Sequence, residues 1–364
     1  VVAGTATGSE TIVQDGAALD VAGVFSAYNN NMVIDELITI SGDGIAGDPN
    51  NGAIFNSGAA MVNEGLGAIA LAADASIGGG SRMDIRGSLT GNGFSITKVG
   101  TDFTGFRSVT GINNVVIDAG DYGLVDNLNG VSGTTTVNTG GRLATFNAKT
   151  FTADIVLNGG SIFSNGNNDT TNRTVNISGT ITVGANGGSF DPQNAANGAT
   201  LTQIVNTVIS GTGALTKSNT GTTDLRGSNT HTGETSVTGG TLVLTSGGTA
   251  IGGNLNIGAA GTVQLGAADQ IADTATVDIT TPTTGGGIDM NGQNDTVAAL
   301  EFDNAGQAGG TYGSSSSGGA TTENDTFFSG VGILTVPDVA GPTVNTLSPA
   351  DSSSNVVVSS NLDI

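Results

Sequence analysis

Residues 211–244 read GTGALTKSNTGTTDLRGSNTHTGETSVTGGTLVL, and this stretch decides the fold. Its apolar residues come singly or as alternating pairs: Leu215, Leu225, Val237, then Leu242 and Leu244. Gly, Asn, Thr and Ser fill the intervals. Alternation with a period of two marks half-buried strands, and Gly- and Asn-rich intervals mark tight turns. No apolar period of 3.6 residues runs through the stretch, so a helix is excluded there.

The opening phrase recurs upstream. Leu89 to Lys98 (LTGNGFSITK) parallels Ile209 to Lys217 (ISGTGALTK), with Lys98 and Lys217 at one position and Ile96 and Leu215 two residues earlier. A phrase repeated at a distance of about 120 residues points to an internally repeated architecture. Charged residues are seldom buried, so both lysines are expected on the outer face of a strand.

Residues 211–244 also closely resemble the passenger-associated transport repeat, or autotransporter-associated β-strand repeat, of bacterial surface proteins. The pieces that carry the resemblance are GTGALTK (211–217), SNTHTGETSV (228–237) and GGTLVL (239–244). His231 stands where that repeat usually has an aromatic. Ile38 to Gly44 followed by Gly52 to Gly58 looks like the coil that often precedes the repeat. Ile288 to Leu300, Ala308 to Gly313 and Gly330 to Val336 resemble phrases of large proteins that contain it. The resemblance implies secretion across an outer membrane.

The rest of the chain keeps the same texture. Ala68 to Ile77 is rich in Ala, a helix former, but Gly67 and Gly78 to Gly80 bracket it, and it reads as a strand and turn. Val115 to Ile117, Val137, Ile155 to Leu157, Val175 with Ile177, Ile181 with Val183, and Ile204 to Ile209 read as strands. Residues 186–200 read as a loop pushed out of a coil. Downstream, Leu255 with Ile257, Val263 with Leu265 and Val277 with Ile279 each present two side chains to one face, leaving Asn256, Gln264 and Asp278 on the other. Ser314 to Gly319 has the composition of a flexible tip. After Pro337 the texture changes, and Gly341 to Ile364 resembles the opening of a bacterial immunoglobulin-like domain, with Val357 in place of a customary Pro. About two strands are present there, where a sandwich needs roughly seven.

Composition narrows the function. Sixty-one glycines, no Cys, no Trp and three Tyr among 364 residues suit a thin, stacked core better than a compact enzyme's aromatic one. Thirty-one acidic and nine basic residues give a net charge of −22. That argues against nucleic acid and anionic lipid and favours divalent cations or basic partners. No Cys means no disulfide and no thiolate metal site. No apolar run reaches 18 residues, so no membrane insertion of this segment is expected. The chain opens on Val1-Val2 without a leader pattern, and reads as a processed product or part of something longer.

Candidate chemistry is sparse. His231 is the single histidine, so a catalytic triad has one candidate base, and its place in the repeat marks it as a packing or turn residue. No Gly-x-Ser-x-Gly, P-loop or His-Glu-x-x-His sequence occurs. No cofactor is expected with certainty. Paired carboxylates for glycoside hydrolysis have two candidates, Asp118 with Asp121 and Asp43 with Asp48. The nine basic residues look spread out, which does not favour a lyase. Calcium is the main site hypothesis, because hard cations gather carboxylate and amide oxygens. Its candidate ligands are Asp43, Asp48 and Asn50 in one loop and Asn165, Asn167 and Asp169 in another.

The expected fold is all-β, a right-handed parallel β-helix (β-solenoid) over residues 1–336, with the clearest repeat at 211–244. At roughly 20–25 residues per rung and ~4.8 Å per rung, that is about 15 rungs and a rod of roughly 70 Å. Antiparallel sandwiches are the alternative. Residues 337–342 form a linker, and 343–364 are the truncated start of an Ig-like sandwich or a strand that pairs with a neighbour. The expected function is that of a non-catalytic extracellular structural protein: an adhesin stalk, fibre or surface-layer component on a bacterial cell surface. Expected partners are a second copy, through the solenoid ends or the tail, or a glycan or cell surface. The alternatives are a β-helix polysaccharide lyase or hydrolase, and a glycan-binding adhesin module using exposed aromatics such as Tyr122 or Tyr312.

Overall fold

The computed structural model describes residues 10–21, 33–34, 36–48, 51–60, 65–124, 130–145, 150–166, 172–283 and 287–338. Asn50, Asn167, Asp169 and the Ig-like stretch 343–364 lie outside these residues.

The described chain is all-β, and no helix occurs in it. Short strands stack in parallel, and each pairs with the strand one coil earlier and one coil later. A spacing of 20 residues recurs, as in Val115↔Thr135, Thr135↔Ile155, Leu215↔Thr235 and Thr235↔Leu255. Insertions widen it to 40 at Ile288↔Phe328. The strands gather into extended, unclosed sheets of 25, 8 and 4 strands. This is the β-solenoid expected from the alternation. Among the described strands, antiparallel pairing is confined to the last coils, between Ala299–Phe302 and Ala305–Gly306 and between Gly310–Gly313 and Leu334–Val336.

Alternation fills the interior. Leu255, Val277 and Leu300 stack in register, as do Ile117, Val137, Leu157 and Val183, and all are buried. Each such side chain contributes roughly 1.5–3 kcal/mol of burial. Ala68 to Ile77 falls within the single strand Ile69–Gly79, with Ile69, Leu71 and Ile77 buried, so the glycine brackets outweigh alanine's helix preference.

Two local expectations are corrected. Residues 186–200 are not an extruded loop: Gly188–Gln193 is a strand paired with Ser161–Asn165 on one side and Leu215–Lys217 on the other. Phe190 is buried there, which holds the strand in, and Pro192 near its end has no N–H to leave unpaired. Ser314 to Gly319 is not a free tip. Ser314 Oγ donates to Gly330 O and Asp325 accepts from Ser315 N–H, so the turn is tied to the next segment.

Candidate functional site

One outward file of side chains runs most of the length of the stack. Register places Phe103, Asp121, Arg142, Ser161, Ser189, Thr216, Ser236, Asn256, Asp278 and Glu301 in line, one per coil. Its first part carries the most chemistry. Arg82 donates to Asp84 through Nε and Nη2 at 2.9 and 3.0 Å, and its guanidinium lies 4.6 Å from the Phe103 ring centre. Arg142 repeats the arrangement, donating to Asp121 at 2.5 and 2.7 Å and lying 4.5 Å from the Phe163 ring. Bidentate guanidinium–carboxylate pairs stacked on aromatic faces are geometrically specific. The Phe103 ring lies over Gly105 and Gly123; a Cβ on Gly123 would sit 1.9 Å from it. The glycines are therefore a floor for the ring. Arg226 and Asp224 form a third pair at 2.7 Å.

The two lysines are not on the outer face. Lys98 is in register between Ile77 and Ile117, and Lys217 between Phe190 and Val237, all positions that point inward, and both are fully buried. Each ammonium turns into a corner of the solenoid and donates to three backbone carbonyls. Lys98 Nζ reaches Val99, Gly100 and Ala119 at 2.7, 3.0 and 3.2 Å. Lys217 Nζ reaches Ser218, Asn219 and Gly239 at 2.8, 3.2 and 2.7 Å. In both corners the second residue after the lysine has positive φ (Gly100 at 73°, Asn219 at 61°), and so does a glycine on the next coil (Gly120 at 64°, Gly240 at 63°). That left-handed backbone turns the carbonyls toward the cavity. Burial pushes both ammonium pKa values down to about 8, against the pull of Asp121 and Asp102 on Lys98 and of Asp191 on Lys217. The lysines are structural clamps at equivalent corners.

The carboxylates proposed for hydrolysis or calcium are engaged one by one. Asp118 accepts from Asn138 Nδ2, and Asn138, Asn158 and Asn186 continue that exposed chain of side-chain hydrogen bonds across four coils. Asp121 is held by Arg142. Asp43 accepts from Ser76 Oγ and Asp48 from Asn51 Nδ2. Asn165 ends the strand Ser161–Asn165 and is half-buried. Among the described residues no group of three or more His, Asp or Glu is placed to hold a metal.

His231 is buried, with Nε2 2.5 Å from Gly213 O, in keeping with a packing role. Tyr122 and Tyr312 are not exposed: they are 1% and 4% accessible, so neither offers a ring to a glycan. Tyr122 stacks on Phe106, and burial raises its phenol pKa above the ordinary value. Tyr312 donates to Ala308 O and packs in the last coils with Phe302. Sequence reasoning missed the interior polar groups. Asp295 is buried and accepts from the N–H groups of Gln270, Ile271 and Thr296. Desolvation raises its pKa to about 6, helped by Asp269 and opposed by those hydrogen bonds.

The recurrent corner and the outward file meet in the stretch from which the sequence analysis started. Residues 215–244 match the family model described as passenger-associated-transport-repeat. The match covers under a tenth of the chain. The repeat spans the strands Leu215–Lys217, Thr222–Leu225, Thr235–Val237 and Gly240–Leu244, and so contains the Lys217 clamp, the Asp224–Arg226 pair and His231. The Lys98 clamp has the same geometry outside the matched residues. No curated protein and no solved structure matches the chain.

Proposed function

We propose that the chain is a non-catalytic, extracellular structural module: a β-solenoid segment of a bacterial surface protein that serves as a stalk, fibre or surface-layer element. One observation carries this reading. Among the described residues, polar side chains along much of the stack bond to their neighbours, as in the lysine clamps, the arginine–aspartate pairs and the Asp118–Asn186 chain. Groups engaged in this way hold the rod together and are poorly disposed to turn over a substrate. The passenger-associated-transport-repeat match supports export. Immunogold labelling of intact cells of the producing organism, with antibodies raised against this chain, tests the proposal. Labelling at the outer surface is expected; labelling confined to the cell interior would refute it.

A further inference from the structure

The stack changes character in its last coils. Residues 227–286 contain no Phe or Tyr, and residues 287–336 contain four: Phe302, Tyr312, Phe327 and Phe328. The four gather round one ring. Phe302 stacks on Phe327 with centroids 4.0 Å apart, and meets Tyr312 and Phe328 edge-on at 6.3 and 6.2 Å. In register, Phe302 follows the inward Ile279, which follows Ile257. The aromatic cluster therefore sits over the end of an aliphatic ladder. A rung of Val, Ile or Leu leaves its far side for the next rung to cover, whereas broad planar rings close that side themselves.

The backbone closes at the same place. Thr276–Ile279 pairs onward with Ala299–Phe302 in parallel, but Ala299–Phe302 pairs onward with Ala305–Gly306, which runs antiparallel. Leu334–Val336 is likewise flanked by the parallel Asp295–Thr296 and the antiparallel Gly310–Gly313. Among the described residues of these coils, the strands paired on one side only are Asp295–Thr296, Ala305–Gly306, Thr322–Glu323 and Phe328–Ser329, each two residues long. Edges that short are poor templates for a further strand.

The covering hairpin is fixed by its turn. Asp303 and Asn304 have φ of 53° and 62°, the left-handed pair that a two-residue type I′ turn needs. The Asp303 carboxylate accepts from Thr281 N–H and Oγ1 at 2.8 and 2.6 Å, and Asn304 N–H donates to Asp278 at 3.1 Å. Gln307 N–H donates to Leu300 O at 2.8 Å. The hairpin is thus tied to the coil before it as well as to the strand it covers.

We propose that residues 299–336 are a cap, which ends the stack and denies a second copy of this chain the edge of Ala299–Phe302. With the hairpin opened, that edge offers four unpaired residues, and two such edges can pair antiparallel about a two-fold axis. Joining of copies through the solenoid ends is therefore blocked at this end. The inference goes beyond the structural reading above and holds wherever the protein resides.

Sedimentation velocity of the full chain tests the proposal. D303V/N304V puts β-branched residues where φ is positive and removes the tie to Thr281, so the hairpin opens. This variant is expected to form discrete dimers, with association about tenfold or more tighter than in the native chain. N304G keeps a left-handed turn and is expected to match the native chain. Circular dichroism checks the fold. If the double variant does not fold, G306P serves in its place: it takes an amide from the covering strand at a position with open space around it. A folded, opened variant no more associated than the native chain would overturn the proposal. So would N304G dimerising like the opened variant, or polydisperse aggregates in place of dimers.

Discussion

Replacing Lys217 with Met keeps the length of the side chain and removes the charge, which isolates what the clamp contributes. Two effects oppose each other. The carbonyls of Ser218, Asn219 and Gly239 lose their shared donor. Leaving buried acceptors unsatisfied costs about 1–3 kcal/mol each, although relaxation and water relieve part of it. Against this, the variant no longer desolvates an ammonium. The pKa falls from 10.5 to about 8, a penalty on the order of 3 kcal/mol at 1.36 kcal/mol per pKa unit. The net expectation at neutral pH is a loss of roughly 1–3 kcal/mol.

The sign of the pH dependence follows from the same shift. Between pH 8 and 10.5 the unfolded chain holds the proton and the folded chain has released it, so the native protein gains stability as pH rises through this window. The Met variant lacks that gain. Guanidinium titrations of both proteins at pH 7 and pH 10 should show the variant less stable at pH 7 and the gap wider at pH 10. A variant as stable as the native chain at pH 7, with no change in the gap, would refute the clamp.

Other outcomes follow from groups inside and outside the stack. Thr135 and Thr235 sit in apolar ladders with no hydrogen-bond partner for Oγ, so T135V and T235V should each raise stability by about 1 kcal/mol in calorimetry. Asp295 has its pKa raised to about 6, so its folded form binds the extra proton between pH ~4 and ~6 and stability falls as pH rises through that window. Melting temperatures of D295N should lack that fall. N138D puts a second carboxylate beside Asp118, whose partner it now is. It should cost about 0.5–1 kcal/mol at low salt and less at high salt, measured by denaturant titration.

Much of the fold was legible because alternation is a direct record of burial. Leu255 with Ile257 and Val277 with Ile279 point inward as their spacing requires. For the lysines, charge and position point in opposite directions, and position decides. Lys98 lies two residues after the inward Ile96, so alternation already put it inside. What alternation could not show was the corner that receives it, built from a positive-φ residue on its own coil and another about 20 residues on. The strand at Phe190 was hidden by the neighbouring Asp191-Pro192, residues that usually mark turns. A tyrosine's polar tip suggests exposure, yet Tyr122 lies in register with the inward Leu143. One signal is present in the sequence: Arg82 with Asp84 and Asp224 with Arg226 are two residues apart, with one partner in a strand and the arginine just outside its end, which puts each pair on one face. Conversely, no property of single residues reveals the outward file, whose members come from ten separate coils.

The parallel stack itself is tested most directly by distances along that file. The chain has no native cysteine, so spin labels can be placed in pairs at Ser161 with Ser236, Asn256 or Glu301, which lie three, four and six coils away. Pulsed electron–electron resonance should give separations that grow by about 5 Å per coil, near 14, 19 and 29 Å between backbones before the label linkers are added. Separations that do not increase in that order, as an arrangement of antiparallel sandwiches would give, would contradict the solenoid.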